Sequence, residues 1–512
     1  MKESRTRNSA LNIASNVGIK LLTLILSFAS RTVFIYTLGA EYLGLNGLFS
    51  NILSFLALSE LGLGVAVAFL LYSPLATNDI ERIKVVMKFY KRCYLIIGCV
   101  ILLLGCGIMP FLKYLVNLDQ PIPENLYLVF FLFVLNSAIS YFFVAYKQTL
   151  IEADQKKYLT TKLEMLFTIV NCAVDIVVLI VFKDFITYLL SKCFLVVIRN
   201  IALSHFIDKH YPYITEPVEG DLSKEEVRKI FKDIASVSIF RFGSVLFNSV
   251  TNIVTSAVVG TIVVGYYSNY TMIVNQIEIL FMLAIGAVGA SIGNVVATET
   301  REKQYIIYKR LDKVSAFVLI TCSVCLIQLL NSFVGIWLGN VGEEYVLNQF
   351  VVILIVANMY TNCSCQVLDR FRTAGGFFSI GRDLQVIGGV INIVLSVILA
   401  KTWGFEGVLI SPFLCKMFIT VTPFMVRVGK RAFDKNCWPM LWEYFSKMLV
   451  TAVICLCVWF ICKPLHTGSA ISFVIESILT LVLTVILLSL FLYKTLSVKK
   501  IIQSLRYEFT GN

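Results

Sequence analysis

The feature that most constrains this chain is a series of fourteen apolar stretches, each about 20 residues long, joined by short polar connections. They fall near residues 9–38, 43–73, 93–116, 125–150, 162–183, 186–207, 234–259, 265–297, 314–338, 346–368, 383–402, 405–428, 446–464 and 470–493. About 20 helical residues cross a hydrocarbon layer of about 30 Å. Inside that layer each backbone amide must be paired within the protein, and a helix does this by itself. The expected fold class is therefore all-α: a polytopic membrane protein with 14 transmembrane helices. Composition agrees, because only 15% of residues are charged, against about 25% in soluble proteins. The longest polar interval, Asp208 to Asp233, is too short to bury a core of its own. Residues 9–38 are longer than a signal-peptide core and hold Lys20 and Arg31, so they count as the first span.

The basic residues set the orientation. With the N-terminus in the cytoplasm, 35 of the 44 Lys and Arg lie on that side and only Lys113, Lys183, Lys401 and Lys463 on the other. Both termini are then cytoplasmic, and the net charge of +12 reflects topology rather than nucleic-acid binding. The outer loops are short, and the longest, around Asn117 to Asn125, holds no catalytic set.

Residues 13–88 return after a shift of 221 positions. Ile13-Ala14-Ser15 meets Ile234-Ala235-Ser236, and Gly39 and Gly44 meet Gly260 and Gly265. Ala66-Val67 meets Ala287-Val288, and Lys88 meets Lys309. The matches are few, 13 identities in 76 pairs, but they include a turn closed by two glycines and a basic residue within an apolar helix. This predicts two six-helix lobes related by a pseudo-two-fold axis along the membrane normal. Residues 1–207 form the first lobe, 208–233 a cytoplasmic link with an amphipathic helix, and 234–432 the second lobe. Residues 433–512 add two C-terminal helices and a tail. The link carries a capping-box pattern, Ser223-Lys-Glu-Glu226.

Lys20, Thr23, Ser27 and Arg31 occupy one face of the first span. Arg241, Ser244, Asn248 and Asn252 occupy the same four positions of the second copy. A charge at the bilayer centre costs on the order of 3 kcal/mol, so such a stripe belongs against protein or water. It predicts a shared central cavity; the alternative is that each base snorkels or pairs with a neighbouring carboxylate. Glu60, Asp175 and Glu278 are carboxylates inside spans, candidates for binding a coupling ion or for pairing with those bases. Asn358, Asn362 and Asn392 read better as helix–helix hydrogen-bonding groups, and Lys192 and Lys416 also lie within spans. Arg370, Arg372 and Arg382 flank a glycine pair on the cytoplasmic side, where they either contact an anionic head group or set topology. The fourteen cysteines lie almost wholly in spans, without metal-ligand spacing. No P-loop, metal site or nucleophile–base cluster is present in the sequence, so no cofactor and no catalytic residue are expected.

With this layout, Tyr42-Leu-Gly-Leu-Asn-Gly-Leu-Phe-Ser50, Gly381-Arg-Asp383 leading to Ile391-Asn-Ile-Val-Leu-Ser396, and Trp403-Gly-Phe-Glu-Gly-Val408 resemble segments of the bacterial polysaccharide transporters. These are the Wzx-type flippases of lipid-linked oligosaccharides, in the superfamily of multidrug extruders and lipid II flippases. The resemblance implies transfer of undecaprenyl-pyrophosphate-linked repeat units for capsule, O-antigen or exopolysaccharide. They would pass from the cytoplasmic to the outer leaflet of the bacterial inner membrane, by alternating access driven by an ion gradient or potential. Lys20, Arg31 and Arg241 would then meet the pyrophosphate. Asn252 opposite Arg31 departs from a symmetric basic cavity. Implied partners are the lipid-linked substrate, membrane lipids and a polysaccharide polymerase, around a monomer. A lipid II flippase and a cation-coupled small-molecule extruder are the alternatives within the superfamily. A membrane polysaccharide polymerase or glycosyltransferase is the alternative from another class.

Overall fold

A computed structural model describes residues 18, 22–60, 63–118, 122–463 and 469–493, with backbone alone at 58–59, 65–66, 229, 233–241, 244, 248, 290 and 492–493. The described residues form helices, turns and loops without a strand. Ten helical runs are long and apolar enough to cross a membrane, and Leu22–Leu38, Val67–Thr77 and Val245–Val259 are shorter apolar helices. This is a multi-pass membrane protein. The longest run, Arg382–Phe433, spans 52 residues, too long for one crossing. It turns back at Gly404, where φ is +60°, and Ser411 Oγ then donates to Asn392 Oδ1 at 2.9 Å across the hairpin.

The chain divides into two compact units, Met1–Gly265 and Tyr266–Asn512. The first contains α1 (Leu22–Leu38), α2 (Ala40–Leu56), α3 (Leu63–Thr77) and α4 (Ile80–Ile108). There follow α5 (Leu126–Phe143), α6 (Ala145–Ala153), α7 (Tyr158–Phe182), α8 (Phe185–His210) and α9 (Lys224–Val254). Its interior is aromatic: Phe49 meets Phe130 and Phe133 edge-on at 5.0 and 5.4 Å between ring centres. Helix starts are set by side-chain caps. Asp79 accepts from the Arg82 amide, Asn125 from Tyr127 and Leu128, and Asp184 from Thr187.

The second unit holds most of α10 (Thr261–Ala287), then α11 (Gly289–Thr298), α12 (Arg301–Leu338), α13 (Gln349–Ser364) and α14 (Gln366–Ala374). It closes with α15 (Arg382–Leu414), α16 (Thr422–Val428), α17 (Trp438–Cys462) and α18 (Ala470–Tyr493).

The 221-residue repeat extends through the backbone far beyond the residues that betray it in sequence. Gly39 and Gly260 both have positive φ, as do Gln155 and Gly376, and Lys183 and Gly404. Asp79 and Thr300 cap the starts of α4 and α12. The break between α5 and α6 at Val144 recurs between α13 and α14 at Cys365. All five pairs differ by the same ungapped shift.

Two of the repeat's glycines make close backbone contacts. A Cβ on Gly44 would collide with the Thr261 carbonyl, and one on Gly265 with the Ala40 carbonyl. These contacts are reciprocal under the shift, since Ala40 and Thr261 are themselves a matched pair. The obstructing atoms are backbone and cannot rotate away. Gly44→Val is therefore expected to lower stability by at least about 3 kcal/mol, at the upper end of overpacking costs. A thermal midpoint in detergent equal to wild type would contradict this.

In the link between the repeats the capping box at Ser223 and Glu226 is present, and the helix it starts runs unbroken for 31 residues as α9. With no Pro in that interval nothing stops it. Although the sequence reading groups this span with the second lobe, α9 packs against α2 and α3 in the first unit. The link before it is clasped to the basic face of α4. Lys84 meets Glu216 at 2.8 Å, Arg92 and Lys88 meet Asp221 at 3.0 and 3.2 Å, and Arg82 pairs with Glu226. Lys88 also donates to the Val218 and Gly220 carbonyls.

Lys88, then Arg92, hold the Asp221 carboxyl below the usual range. The Ser223 amide, then Arg82, do the same for Glu226. Carboxyls depressed in the fold contribute stability above their ordinary value near pH 4 and lose it as pH falls through the lowered one. The clasp is thus expected to be closed at neutral pH and to open below about pH 4, and to loosen in high salt because each pair has a solvent-exposed carboxylate. Proteolysis within 212–222 should rise under either condition; a uniformly protected link would rule the clasp out.

Candidate functional site

Three intramembrane charges of the first unit, Arg31, Asp175 and Lys192, lie where α1, α7 and α8 meet. α7 and α8 are an antiparallel hairpin turning at Lys183, which takes the left-handed conformation, and Asp184, which caps α8. Asp175 and Lys192 are equidistant from that turn and therefore face each other. Lys192 Nζ donates to Asp175 Oδ2 at 2.5 Å. Ser30 of α1 donates to the same oxygen at 3.2 Å, and Cys172 donates to the Leu26 carbonyl at 3.4 Å, tying α7 to α1. The Asp175 side chain is only 5% exposed, and its Oδ1 has no hydrogen-bond partner among the described residues.

Lys192 also lies 5.3 Å from the centre of the Tyr188 ring. Arg31, next to Ser30 and half-buried, interacts electrostatically with the same tyrosine. Phe34 packs edge-on to Tyr188 and Phe185, fixing the turn of α1 that carries Arg31. Seven residues separate Arg31 from Leu38, and eight separate Asp175 from Lys183, so both lie about 10–12 Å below the same end of the bundle. The site thus contains two cations, one carboxylate and a phenol within an apolar bundle.

Glu60 lies elsewhere in this unit, at the end of a 3-10 turn, Ala57–Glu60. It accepts from Tyr94 at 2.5 Å and from Tyr141 at 2.7 Å. Tyr94 in turn accepts from Tyr90 at 3.0 Å, and Tyr90 lies 2.9 Å from Thr149 Oγ1. Since the Tyr90 proton points at Tyr94, Thr149 is the donor to Tyr90. The chain of hydroxyls therefore points at the carboxylate.

In the second unit Glu278 accepts from Asn362 at 3.5 Å and lies in the field of Lys416. Lys447 pairs with Asp312 and, at 3.2 Å, with Glu443. Asn358 donates to Leu409 O at 3.0 Å, and Asn392 bridges Ser396 and Ser411. These asparagines join helices, as their sequence setting suggests.

Of the other sequence candidates, Thr23 and Ser27 are half-buried on α1. Lys20 lies outside the described residues, and Arg241, Ser244 and Asn248 are placed on α9 by backbone alone. Asn252 is half-buried near Gly47. Arg372 uses its guanidinium internally, on Asp369 and on the Phe378 and Ile380 carbonyls. It holds the glycine loop, while Arg370 and Arg382 are half-buried beside it. Lys192, Tyr188 and the tyrosines around Glu60 were not singled out by the sequence. For Lys192 the signal was there: it and Asp175 flank the inter-span turn symmetrically. The tyrosines gave none, being three among 23.

No family model matches the chain, and no curated protein does. Solved structures do. The lipid II flippase MurJ, in an inward closed conformation, aligns with a TM-score of 0.63 at 14% identity, over 94% of this chain and 98% of its own. An inward-facing multidrug resistance MATE transporter of the MOP superfamily aligns at 0.60 and 15%, over 81% and 98%. A mutant of the Vibrio cholerae MATE transporter VcmN aligns at 0.54 and 13%, over 84% and 99%. The chain shares its fold with these transporter and flippase structures.

Proposed function

We propose that this protein is a flippase of lipid-linked oligosaccharides, moving undecaprenyl-pyrophosphate-linked repeat units from the cytoplasmic to the outer leaflet of a bacterial inner membrane. The fold supports transport. The observation that carries the choice of cargo is the charge balance of the α1–α7–α8 site: Arg31 and Lys192 beside one carboxylate, Asp175, among the described residues. A buried site richer in cations than in carboxylates favours an anionic guest, and a guanidinium matches phosphate geometry. An extruder of cationic drugs would want the opposite balance. In the second repeat Ser396 and Phe413 stand where Asp175 and Lys192 do, and Asn252 where Arg31 does. The head group would thus be held on one side of a two-lobed, 14-helix bundle, with sugars meeting the polar faces of Thr23, Ser27, Ser244 and Asn248. Alternating access would come from rocking of the lobes, biased by an ion gradient or the membrane potential.

A lipid II-type cargo is the second reading, favoured by the length of the alignment with MurJ. Both cargoes share the polyprenyl diphosphate and differ in the saccharide. Deleting the gene and identifying the lipid-linked saccharide that accumulates on the inner leaflet separates them. Oligosaccharide repeat units are expected; a peptide-bearing disaccharide would favour the second reading, and no accumulation would refute both.

A further inference from the structure

We propose that Asp175 carries an exchangeable proton on Oδ1, and that loading this proton releases Lys192 to pair with an anionic group of the transported lipid. The second half rests on the reading of the cargo as an anionic lipid; the first does not.

The three intramembrane carboxylates highlighted by the sequence are in different situations. Glu60 has both oxygens engaged by phenols. Glu278 lies between an amide and a lysine. Asp175 has one oxygen accepting two hydrogen bonds, while the other, in a side chain 5% exposed, accepts none from the described residues. A buried carboxylate with an unsatisfied oxygen is costly, and removing its charge relieves most of that cost. A proton can add at Oδ1 without displacing Ser30 or Lys192 from Oδ2. The O–H bond forms on Oδ1, the proton coming from water, and Lys192 remains an ammonium. What had been an ion pair becomes a hydrogen bond to a neutral acid, and the ammonium is held far less tightly.

The charges around Asp175 make this exchange useful. Arg31 comes from α1, Tyr188 and Lys192 from α8, and the Cys172 thiol from its own helix. With Asp175 ionised, its charge offsets one of the two cations. With Asp175 neutral, that offset is gone and the site attracts a diphosphate more strongly. Proton loading and cargo binding then favour one another, and proton release favours unloading. The fold does not require the pair, because the second repeat builds the same hairpin with Ser396 and Phe413.

Two measurements on the full chain in phosphatidylcholine vesicles test this. Infrared difference spectra on acidification should contain a protonated carboxyl band that is missing in Asp175→Asn. Binding of inorganic pyrophosphate should fall with rising pH more steeply in wild type than in Asp175→Asn, by up to about tenfold per pH unit, as for uptake of one proton. Lys192→Gln should bind weakly at every pH, and Lys192→Arg should restore binding. A carboxyl band unchanged in Asp175→Asn would overturn the proton site. Equal pH slopes in the two proteins would overturn the link to Lys192. An Asp175-dependent band without pyrophosphate binding to wild type at any pH would establish the proton site and remove the anionic cargo.

Discussion

Replacing Arg31 by Ala is expected to abolish export while the protein still reaches the membrane in normal amount. Arg31 sits on a helix face beside Ser30 and Tyr188, about 10 Å from the end of its helix. A charge-assisted hydrogen bond to a phosphate contributes about 1.5–3 kcal/mol, which alone is about a tenfold to hundredfold effect on binding. For the proposed cargo the loss in transport would be larger, because a diphosphate would have to cross the apolar layer with its charge compensated throughout. Arg31→Lys keeps the charge but loses the two-pronged geometry, so partial export is expected. Quantifying surface polysaccharide in a deletion strain carrying each variant checks both expectations. Wild-type export from Arg31→Ala would take this residue out of the transport path.

Glu60→Leu is expected to be the most damaging substitution for folding. It removes the acceptor from Tyr94 and Tyr141 at once and leaves the Thr149–Tyr90–Tyr94 chain aimed at a hydrocarbon side chain. Each buried hydroxyl left without an acceptor costs about 1–3 kcal/mol, so the total is about 2–6 kcal/mol, much of an ordinary margin of stability. Removing the donors as well should restore most of the loss, because deleting both partners of a hydrogen bond is nearly neutral. The triple variant with Tyr94→Phe and Tyr141→Phe should therefore outlast Glu60→Leu in detergent at elevated temperature. Equal lifetimes for the two would mean that the carboxylate is not the terminus of the chain.

Much of the fold was legible because its causes are local. Apolar length gives helices able to cross a membrane, and the Ser223–Glu226 pair marks the start of α9. The repeat was visible only where chemistry resists drift. Gly39 and Gly260 turn the chain with positive φ; Gly44 and Gly265 admit a backbone closer than any Cβ allows. Elsewhere side chains exchanged freely while the backbone kept its register, at Val144 and Cys365 and at Lys183 and Gly404. Packing asks only for hydrophobic volume, so identity was lost and geometry was not.

By itself, then, the sequence determined a helical, multi-pass membrane protein, a 221-residue repeat and the presence of charges that lipid would not tolerate. Only the tertiary structure decided what each charge does. It set Lys192 on Asp175, surrounded Glu60 with phenols, directed Arg372 into its own loop and clasped the link onto α4. The physical reason is that a charge inside a bundle is defined by the groups that reach it. Those groups come from helices distant in sequence, whose rotation about their axes is fixed by packing rather than by any pattern along the chain.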